Sequence, residues 1–217
     1  MRTNLYDLYA RLRERFGYLD WWPGDTADEI VIGAVLTQQT AWTNVEKAIA
    51  NLKRERLLSI AAISRAKVQR LERCVRPSGY YRQKARRLKG ISARIMDEYG
   101  SLDGLLSLPG TELRKTLLGF HGIGKETADS IVLYAANKMA FVVDAYTIRA
   151  MSRIYGMDSG TKYDDMQRYF TDRLRPSIRL YKDMHAQFVE LGKNYCRTRP
   201  LCADCPANRI CAYSRNM

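Results

Sequence analysis

Apolar residues recur every three or four positions along almost the whole chain, and this spacing constrains the fold more than any other feature. It runs through the segments NLYDLYARLRERFG, EIVIGAVLTQQTAWTNVEKAIANLK, QKARRLKGISARIMDEYG and DMQRYFTDRLR. Such spacing places the apolar side chains on one face of an α-helix. The sequence shows no series of alternating strands separated by turn dipeptides. It therefore predicts an all-α fold.

Clusters of glycine and proline separate the helical segments. They occur at WWPGDT, RPSGYY, YGSLDGLLSLPG, GFHGIGK and YGMDSGTK, where we expect the joints between helices. A chain of 217 residues is long enough for one sizeable core or two small lobes. We expect a single compact unit over residues 1–217.

The charge balance indicates a polyanionic partner. There are 36 Lys and Arg residues against 23 Asp and Glu, which gives a formal net charge of +13. Nucleic acid fits that charge best, and the alternative is that the basic residues serve only solubility. No apolar run approaches ~18 residues, and the N-terminus carries a charge every few residues. We therefore expect no membrane partner and no signal peptide, and a cytoplasmic, nucleoid-associated location.

The stretch HGIGKETAD contains two glycines at one of the joints. A helical run ends at Gly119, turns through FHGIG and resumes at Lys125. Gly122 and Gly124 permit positive φ angles and allow backbone N–H groups to approach an anion at a helix N-terminus. In a basic chain that anion would be a DNA phosphate. The alternative is a helix–helix turn that binds nothing.

One carboxylate, Asp144, interrupts the apolar segment MAFVVDAYTIRAMSRIYG. An acid among apolar neighbours is either paired with a cation, such as Arg149, or held for chemistry. These residues alone leave both interpretations open.

Four of the five cysteines lie close together near the C-terminus, in CRTRPLCADCPANRIC. They are Cys196, Cys202, Cys205 and Cys211, with gaps of five, two and five residues. In a chain that is not secreted, such clustering indicates a metal rather than disulfides. The spacing fits either a tetrahedral zinc ion or a [4Fe–4S] cluster. Cys74 stands apart, and we expect it to fill core.

The hairpin, the aspartate and the cysteine group, in this order, resemble the endonuclease III branch of the helix-hairpin-helix DNA glycosylases. The segments SGYYRQKARRLKG and HAQFVELGKNYC are also similar to that family. The resemblance implies two helical lobes with an active-site cleft between them. The approximate lobes are 26–135, which ends in the hairpin, and 1–25 plus 136–217, which carries catalytic Asp144 and the cysteines. It favours a [4Fe–4S] cluster over zinc, although the first cysteine gap is one residue shorter than in the familiar pattern.

The hairpin departs from the bifunctional members of this family at one position. Those members place a nucleophilic lysine two residues after the second hairpin glycine, where this chain has Glu126. Lys125 is one residue earlier, about 100° around the helix, and should point elsewhere. We therefore predict that the glycosidic bond is hydrolysed and the base released, without cleavage of the strand. We expect Glu126 to lie at the base pocket, and the alternative is a purely structural role near the helix start.

The segment DWWPGD, followed by IGAVLTQQTAWTNVEKAI, resembles the 3-methyladenine DNA glycosylases within this branch. Paired tryptophans and an aromatic residue on the following helix form their base pocket, and Trp21, Trp22 and Trp42 fall on those positions. Electron-rich aromatic rings attract a flipped, cationic alkylated purine. The alternative is that all three tryptophans fill core.

Together these features predict a monomeric base-excision DNA glycosylase that acts on double-stranded DNA containing a damaged base. Gln39 would help to fill the vacated base stack, and Arg197 and Arg199 would contact the DNA backbone together with Gly122, Gly124 and Lys125. One rival function is excision of mismatched thymine, uracil or oxidised pyrimidines, with strand cleavage. Another is DNA binding without catalysis.

Overall fold

The computed structural model describes residues 4–19, 21–22 and 24–216, and their regular structure is entirely helical. The predicted all-α class is confirmed. The helices, in chain order, are α1 (Leu5–Phe16), α2 (Ala27–Leu36), α3 (Trp42–Arg54), α4 (Ile60–Arg65), α5 (Val68–Val75), α6 (Tyr81–Tyr99), α7 (Leu102–Leu106), α8 (Gly110–Leu118), α9 (Lys125–Ser130), α10 (Ala145–Tyr155), α11 (Tyr163–Thr171), α12 (Ile178–Asn194) and α13 (Ala212–Arg215).

The chain divides into two compact units. The terminal unit takes residues 1–22 and 139–217, and therefore contains α1 and α10–α13. The central unit takes residues 23–138, with α2–α9 and a π-helix over Ile131–Ala135 that continues α9. Within the described parts of both units, no helix is long and apolar enough to cross a membrane.

Aromatic packing supports the terminal unit. The Phe141 and Phe170 rings stack with centroids 4.1 Å apart, and the Phe188 ring meets Phe170 edge-on at 5.6 Å. All three side chains are fully buried. Because Phe141 lies three residues before Asp144, this core fixes the extended segment that leads into α10.

Helix α6 is the longest element of the central unit, and α4 and α5 pack against it. Its buried face carries Leu88, Ile91 and Ile95 at the spacing expected of an amphipathic helix. Cys74, on α5, is also buried, which confirms its predicted place in the core. The opposite face of α6 carries arginines.

Candidate active site and cysteine loop

Asp144 is the N-cap residue of α10, and the residue is only 8% exposed. One carboxylate oxygen, Oδ1, accepts hydrogen bonds from the Thr147 backbone N–H at 2.7 Å and the Thr147 hydroxyl at 2.8 Å. The cap satisfies a backbone donor at the start of the helix, so the fold of α10 itself orients this carboxylate.

The second carboxylate oxygen faces a histidine. The Nε2 atom of His185, on α12, lies 3.6 Å from Asp144 Oδ2, and both side chains are buried. Burial opposes ionisation of Asp144, but the interactions with His185 and both hydrogen bonds from Thr147 outweigh it and lower the pKa of the carboxyl. Asp144 is therefore an anion at neutral pH.

Among the described residues Asp144 is not paired with an arginine, so the expected pairing with Arg149 was wrong. Arg149 instead donates to the Cys196 carbonyl at 2.6 Å and to the Gly192 carbonyl at 3.5 Å. It lies on α10 beyond the first turn, and its guanidinium reaches the end of α12.

Close packing of α10 against α12 brings the histidine to the aspartate. A side chain at Gly192 would overlap the Tyr146 ring, so only glycine permits this approach of the two helices. His185 is one of the two histidines in the chain, in a segment already singled out as HAQFVELGKNYC. Sequence reasoning nevertheless missed its contact with Asp144.

Trp21, one of the predicted pocket tryptophans, lies beside His185, and Trp22 lies beside Trp21. The ring centroids of Trp21 and His185 are 5.5 Å apart, and those of Trp21 and Trp22 are 5.4 Å apart. The Lys193 ammonium lies 5.8 Å from the Trp21 ring centroid. Both tryptophans are half-buried and lie outside the closed core. The terminal unit thus gathers Asp144, His185 and two aromatic rings.

A buried carboxylate fixes the segment that precedes these tryptophans. Asp183, on α12, is fully buried and accepts hydrogen bonds from Arg13 and the Leu19 backbone N–H, both at 2.9 Å, and also from the Tyr9 hydroxyl. These contacts attach the first helix and residue 19 to the helix that carries His185. Asp183 therefore positions the aromatic residues.

The four clustered cysteines line one pocket of about 330 Å³ in the terminal unit. Burial raises the pKa of the Cys205 thiol to about 11, and the neighbouring thiols oppose its ionisation. Burial likewise raises the pKa of Cys202, again with contributions from Cys211 and Cys196. Thiols that oppose each other's ionisation are the arrangement that a bound cationic centre would stabilise as thiolates.

A single metal ion and a four-iron cluster require different arrangements of the four cysteines. In residues 4–19, 21–22 and 24–216, no three His, Cys, Asp or Glu side chains form a group that could hold a single ion. A four-iron cluster is larger, and its cysteines surround a volume instead of meeting at one atom. In number and in chemistry, the four cysteines fit that larger group.

Helix α10 is tied to the cysteine loop through Arg153. This guanidinium donates to the Cys196 sulfur at 3.5 Å and to the Thr198 carbonyl at 3.1 Å, and it also contacts the Arg197 carbonyl. Arg197 and Arg199 are exposed on the loop. One helix therefore carries Asp144 at its start and the loop anchor near its end.

The hairpin lies in the central unit, between α8 and α9. Its two glycines differ: Gly122 has φ +86°, whereas Gly124 has φ −92°, which any residue adopts. The expectation of positive φ angles was thus wrong for Gly124, whose missing side chain faces open space. A side chain on Gly122 would overlap the guanidinium of Arg87, so that glycine serves close packing as well as its turn.

Side-chain hydrogen bonds from Gln38 and Arg87 connect this hairpin to α6. The Gln38 amide donates to the Gly122 carbonyl at 3.0 Å and to the Thr127 hydroxyl at 3.1 Å. Arg87, on α6, in turn donates to the Gln38 side-chain oxygen. Gly122 is therefore held by α6 as well as by its own turn.

The remaining predicted residues of the central unit lie at helix starts or in turns. Lys125 and Glu126 are the first two residues of α9, are exposed, and differ by one helical step. Trp42 is the first residue of α3 and is half-buried. Gln39 is exposed and has φ +55°. These residues belong to the central unit, whereas Asp144, Trp21 and Trp22 belong to the terminal unit.

Tyr80, which sequence reasoning did not single out, is one of four exposed non-glycine residues with left-handed backbone in the described part of the chain; the others are Gln39, Arg56 and Asn137. Tyr80, just before α6, has φ +46° and is 65% exposed. Left-handed backbone is unfavourable for a bulky residue and frequently marks a functional position. Buried Lys84 donates to the Ser78 carbonyl at 2.6 Å and the Leu36 carbonyl at 2.8 Å, close to Tyr80 and Gln39 respectively. One ammonium group thus holds both turns.

Comparison with known proteins identifies the family of the chain. The family described as HhH-GPD superfamily base excision DNA repair protein matches residues 32–176. A putative DNA repair glycosylase of Methanocaldococcus jannaschii is 42% identical over 209 residues, which are 95% of each chain.

Two solved structures are similar in fold. The Helicobacter pylori 3-methyladenine DNA glycosylase bound to 1,N6-ethenoadenine has a TM-score of 0.78 and 29% identity, and the match covers 88% of this chain and 98% of that one. Endonuclease III in a non-covalent DNA complex has a TM-score of 0.83 and 21% identity, covering 100% and 98%. The chain therefore belongs to the HhH-GPD superfamily of base excision DNA repair proteins, as a DNA glycosylase.

Proposed function

We propose that this glycosylase removes a cationic alkylated purine, such as 3-methyladenine, from double-stranded DNA and leaves the strand intact. One observation carries the proposal: the buried, ionised carboxylate of Asp144 shares a unit with Trp21 and Trp22, joined by His185. These residues provide a fixed negative charge that would stabilise the sugar and aromatic rings that would bind the base.

Asp144 supplies the negative charge. As the glycosidic bond breaks, positive charge develops on the sugar, and a pre-oriented carboxylate stabilises it and positions the attacking water. Two hydrogen bonds from Thr147 fix Oδ1, and His185 Nε2 lies 3.6 Å from Oδ2, so the carboxylate is already oriented and little reorganisation is needed. An N-alkylated purine is already a good leaving group, so the site needs no strong acid.

Aromatic rings supply the base recognition. An alkylated purine carries positive charge, and tryptophan is the side chain that attracts a cation most strongly through its ring. The half-burial of Trp21, Trp22 and Trp42 leaves part of each side chain accessible. The named activity of the similar Helicobacter pylori enzyme supports the same substrate class.

Glu126 leads us to propose hydrolysis without strand cleavage. A lyase needs an amine that attacks the sugar carbon, and this chain has a carboxylate at the position where the resemblance expects that amine. Lys125 precedes it by about 100° on α9.

The hairpin and the two exposed turns would bind the DNA. The backbone around Gly122 and Gly124 would contact a phosphate. Lys125 would add a contact to the DNA backbone from the same unit, and Arg197 and Arg199 would contact the DNA backbone from the cysteine loop. Gln39 and Tyr80, both exposed with left-handed backbone, would enter the stack vacated by the flipped nucleotide. We propose that the protein acts on the duplex as a monomer.

We further propose that Cys196, Cys202, Cys205 and Cys211 hold a [4Fe–4S] cluster. The cluster would stabilise the C-terminal loop, which Arg149 and Arg153 attach to α10, and no step of base removal involves it. A brown protein with a broad band near ~400 nm would support the cluster. A colourless protein that contains one zinc ion would contradict it.

Analysis of released bases tests the proposed activity. The purified protein is incubated separately with methylated DNA and with duplexes that contain uracil, a thymine mismatch or thymine glycol. We expect methylated purines to be released, strand breaks only after alkali, and no adduct trapped by borohydride. Release of pyrimidines alone would contradict the substrate class. A trapped adduct that disappears in Lys125→Ala would contradict the hydrolytic mechanism.

A further inference from the structure

A broad groove runs along α6 within the central unit, beside the residues that enter the hairpin. It has a volume of about 1130 Å³, and its lining includes Arg82, Arg86, Arg87, Arg94 and His121. We call it the α6 groove. The proposed function uses none of these arginines.

The arginines follow one face of the helix. Arg82, Arg86 and Arg94 are separated by multiples of four residues, which places them on a common stripe. Gly90 occupies the remaining position of the stripe, and a side chain there would meet nothing within 4 Å. The stripe covers twelve helical steps, or ~18 Å. It is therefore an open, elongated surface rather than a site for one small ion.

The charge of the α6 groove is largely uncompensated. None of its lining residues is acidic. Arg94 pairs with Glu98 at 2.6 Å, but Arg82, Arg86 and Arg87 form no ion pair within the described part of the chain. The buried Nε of Arg87 also has no hydrogen-bond acceptor among those residues, although this type of donor is nearly always satisfied.

We propose that the α6 groove binds the phosphodiester backbone of the DNA duplex, as a second phosphate-contact surface beside the hairpin. The inference rests on the proposed function, since it takes the substrate to be duplex DNA. Planar guanidinium groups match phosphate oxygens in two-pronged hydrogen bonds. Measured along the duplex axis, the ~18 Å stripe corresponds to about five nucleotides of one strand, at a rise of ~3.4 Å each.

The α6 groove continues into the hairpin, and this continuity favours DNA over an unrelated polyanion as the ligand of the groove. Gly119, Phe120 and His121 line the groove and lead directly into Gly122 of the hairpin. Arg87 joins the two features, because it lines the groove and also binds Gln38 behind the hairpin. A backbone held at the hairpin therefore has the α6 groove as its neighbouring basic surface.

The test compares two variants of equal charge. Arg82→Gln/Arg86→Gln removes two exposed arginines from the groove. Arg65→Gln/Arg73→Gln removes two exposed arginines of the same unit that lie outside it and form no ion pair in the described structure. The affinity of each protein for a duplex with one stable abasic-site analogue is measured by fluorescence anisotropy at several salt concentrations.

Each lost phosphate contact should reduce the slope of log affinity against log salt by ~0.9. We expect the groove variant to lose between one and two such contacts and to bind roughly tenfold more weakly at low salt. The Arg65/Arg73 variant should keep the wild-type slope. Equal slopes for the two variants would overturn the proposal. It would also fail if the groove variant lost affinity for single-stranded RNA and kept its affinity for the duplex.

Base release separates this inference from the proposed function. The Arg65→Gln/Arg73→Gln variant should release methylated purines at the wild-type rate, because neither arginine lines the α6 groove. If the wild type releases no methylated base, the substrate assignment fails, but the salt slopes still decide the role of the groove.

Discussion

Replacement of Lys84 by methionine tests how the turns that carry Gln39 and Tyr80 are held. Lys84 is only 2% exposed, and its ammonium group donates to two backbone carbonyls, those of Leu36 and Ser78. Burial, together with the charge of Arg87, lowers the pKa of Lys84 from 10.5 to about 8. Lys84 is therefore charged at neutral pH, at a cost to the folded state.

The size and sign of this cost follow from the two pKa values. The difference between 10.5 and about 8 corresponds to ~3 kcal/mol. As the pH rises above about 8, the folded state loses this proton first, while the unfolded state keeps it up to 10.5. The unfolded state then binds more protons, so the contribution of Lys84 to stability rises with pH across this window.

Lys84→Met removes this pH dependence and leaves two carbonyls without their donor. Each buried carbonyl left without a hydrogen-bond donor destabilises the folded state by ~1–3 kcal/mol. Removal of the buried charge partly offsets this loss. We expect the variant to be less stable than the wild type by roughly 1–3 kcal/mol at pH 7. The difference in stability between the two proteins should be larger by ~2–3 kcal/mol at pH 10.

Urea unfolding of both proteins at pH 7 and pH 10 measures the two gaps, and groups common to both proteins cancel in the comparison. Lys47→Met, which replaces an exposed lysine of α3, is the matched control and should show no such widening. A stability gap for Lys84→Met that is independent of pH would refute the assignment of a low pKa to this lysine.

Three further predictions concern the hairpin, the pocket and the core. Gly122→Val should destabilise the protein by ~2 kcal/mol or more in urea unfolding, because φ is +86° and Arg87 fills the space. Gly124→Ala should keep wild-type stability and lose only DNA affinity in a binding titration; equal stability losses for the two variants would contradict this. Trp21→Ala should reduce release of 3-methyladenine roughly tenfold, and more than release of neutral hypoxanthine; equal reductions would remove the cation–π argument. Cys74→Ser should keep the visible absorption of the cluster, and its loss would place Cys74 among the ligands.

The joints and the helix pattern could be predicted because they depend on local sequence. The four segments with apolar spacing fall on α1, on α2 and α3, on α6 and on α11, although the second segment is broken between Leu36 and Trp42. The GFHGIGK joint lies between α8 and α9, which begins at Lys125 as expected. The cysteine spacing likewise predicted the group that lines one pocket. These features depend on residues that are close together in the chain.

The environment of Asp144 could not be predicted, because its partners come from distant elements. His185 reaches it from α12, and Arg149, the expected partner, binds the carbonyl of Cys196 instead. The role of Lys84 is equally non-local, since it bridges two turns that only the folded unit brings together. Periodicity gives the face on which a residue lies, but not the atom that it meets.

The most direct test of the central claim compares the wild type with Asp144→Asn on a duplex that contains one methylated purine. Asparagine keeps a side-chain oxygen for the hydrogen bonds from Thr147, so α10 should remain capped while the negative charge is lost. We expect the wild type to release the base and leave a strand that breaks only on alkali treatment. Asp144→Asn should bind the duplex with unchanged affinity and release the base at least ~10²-fold more slowly. Base release by Asp144→Asn at the wild-type rate would contradict the account.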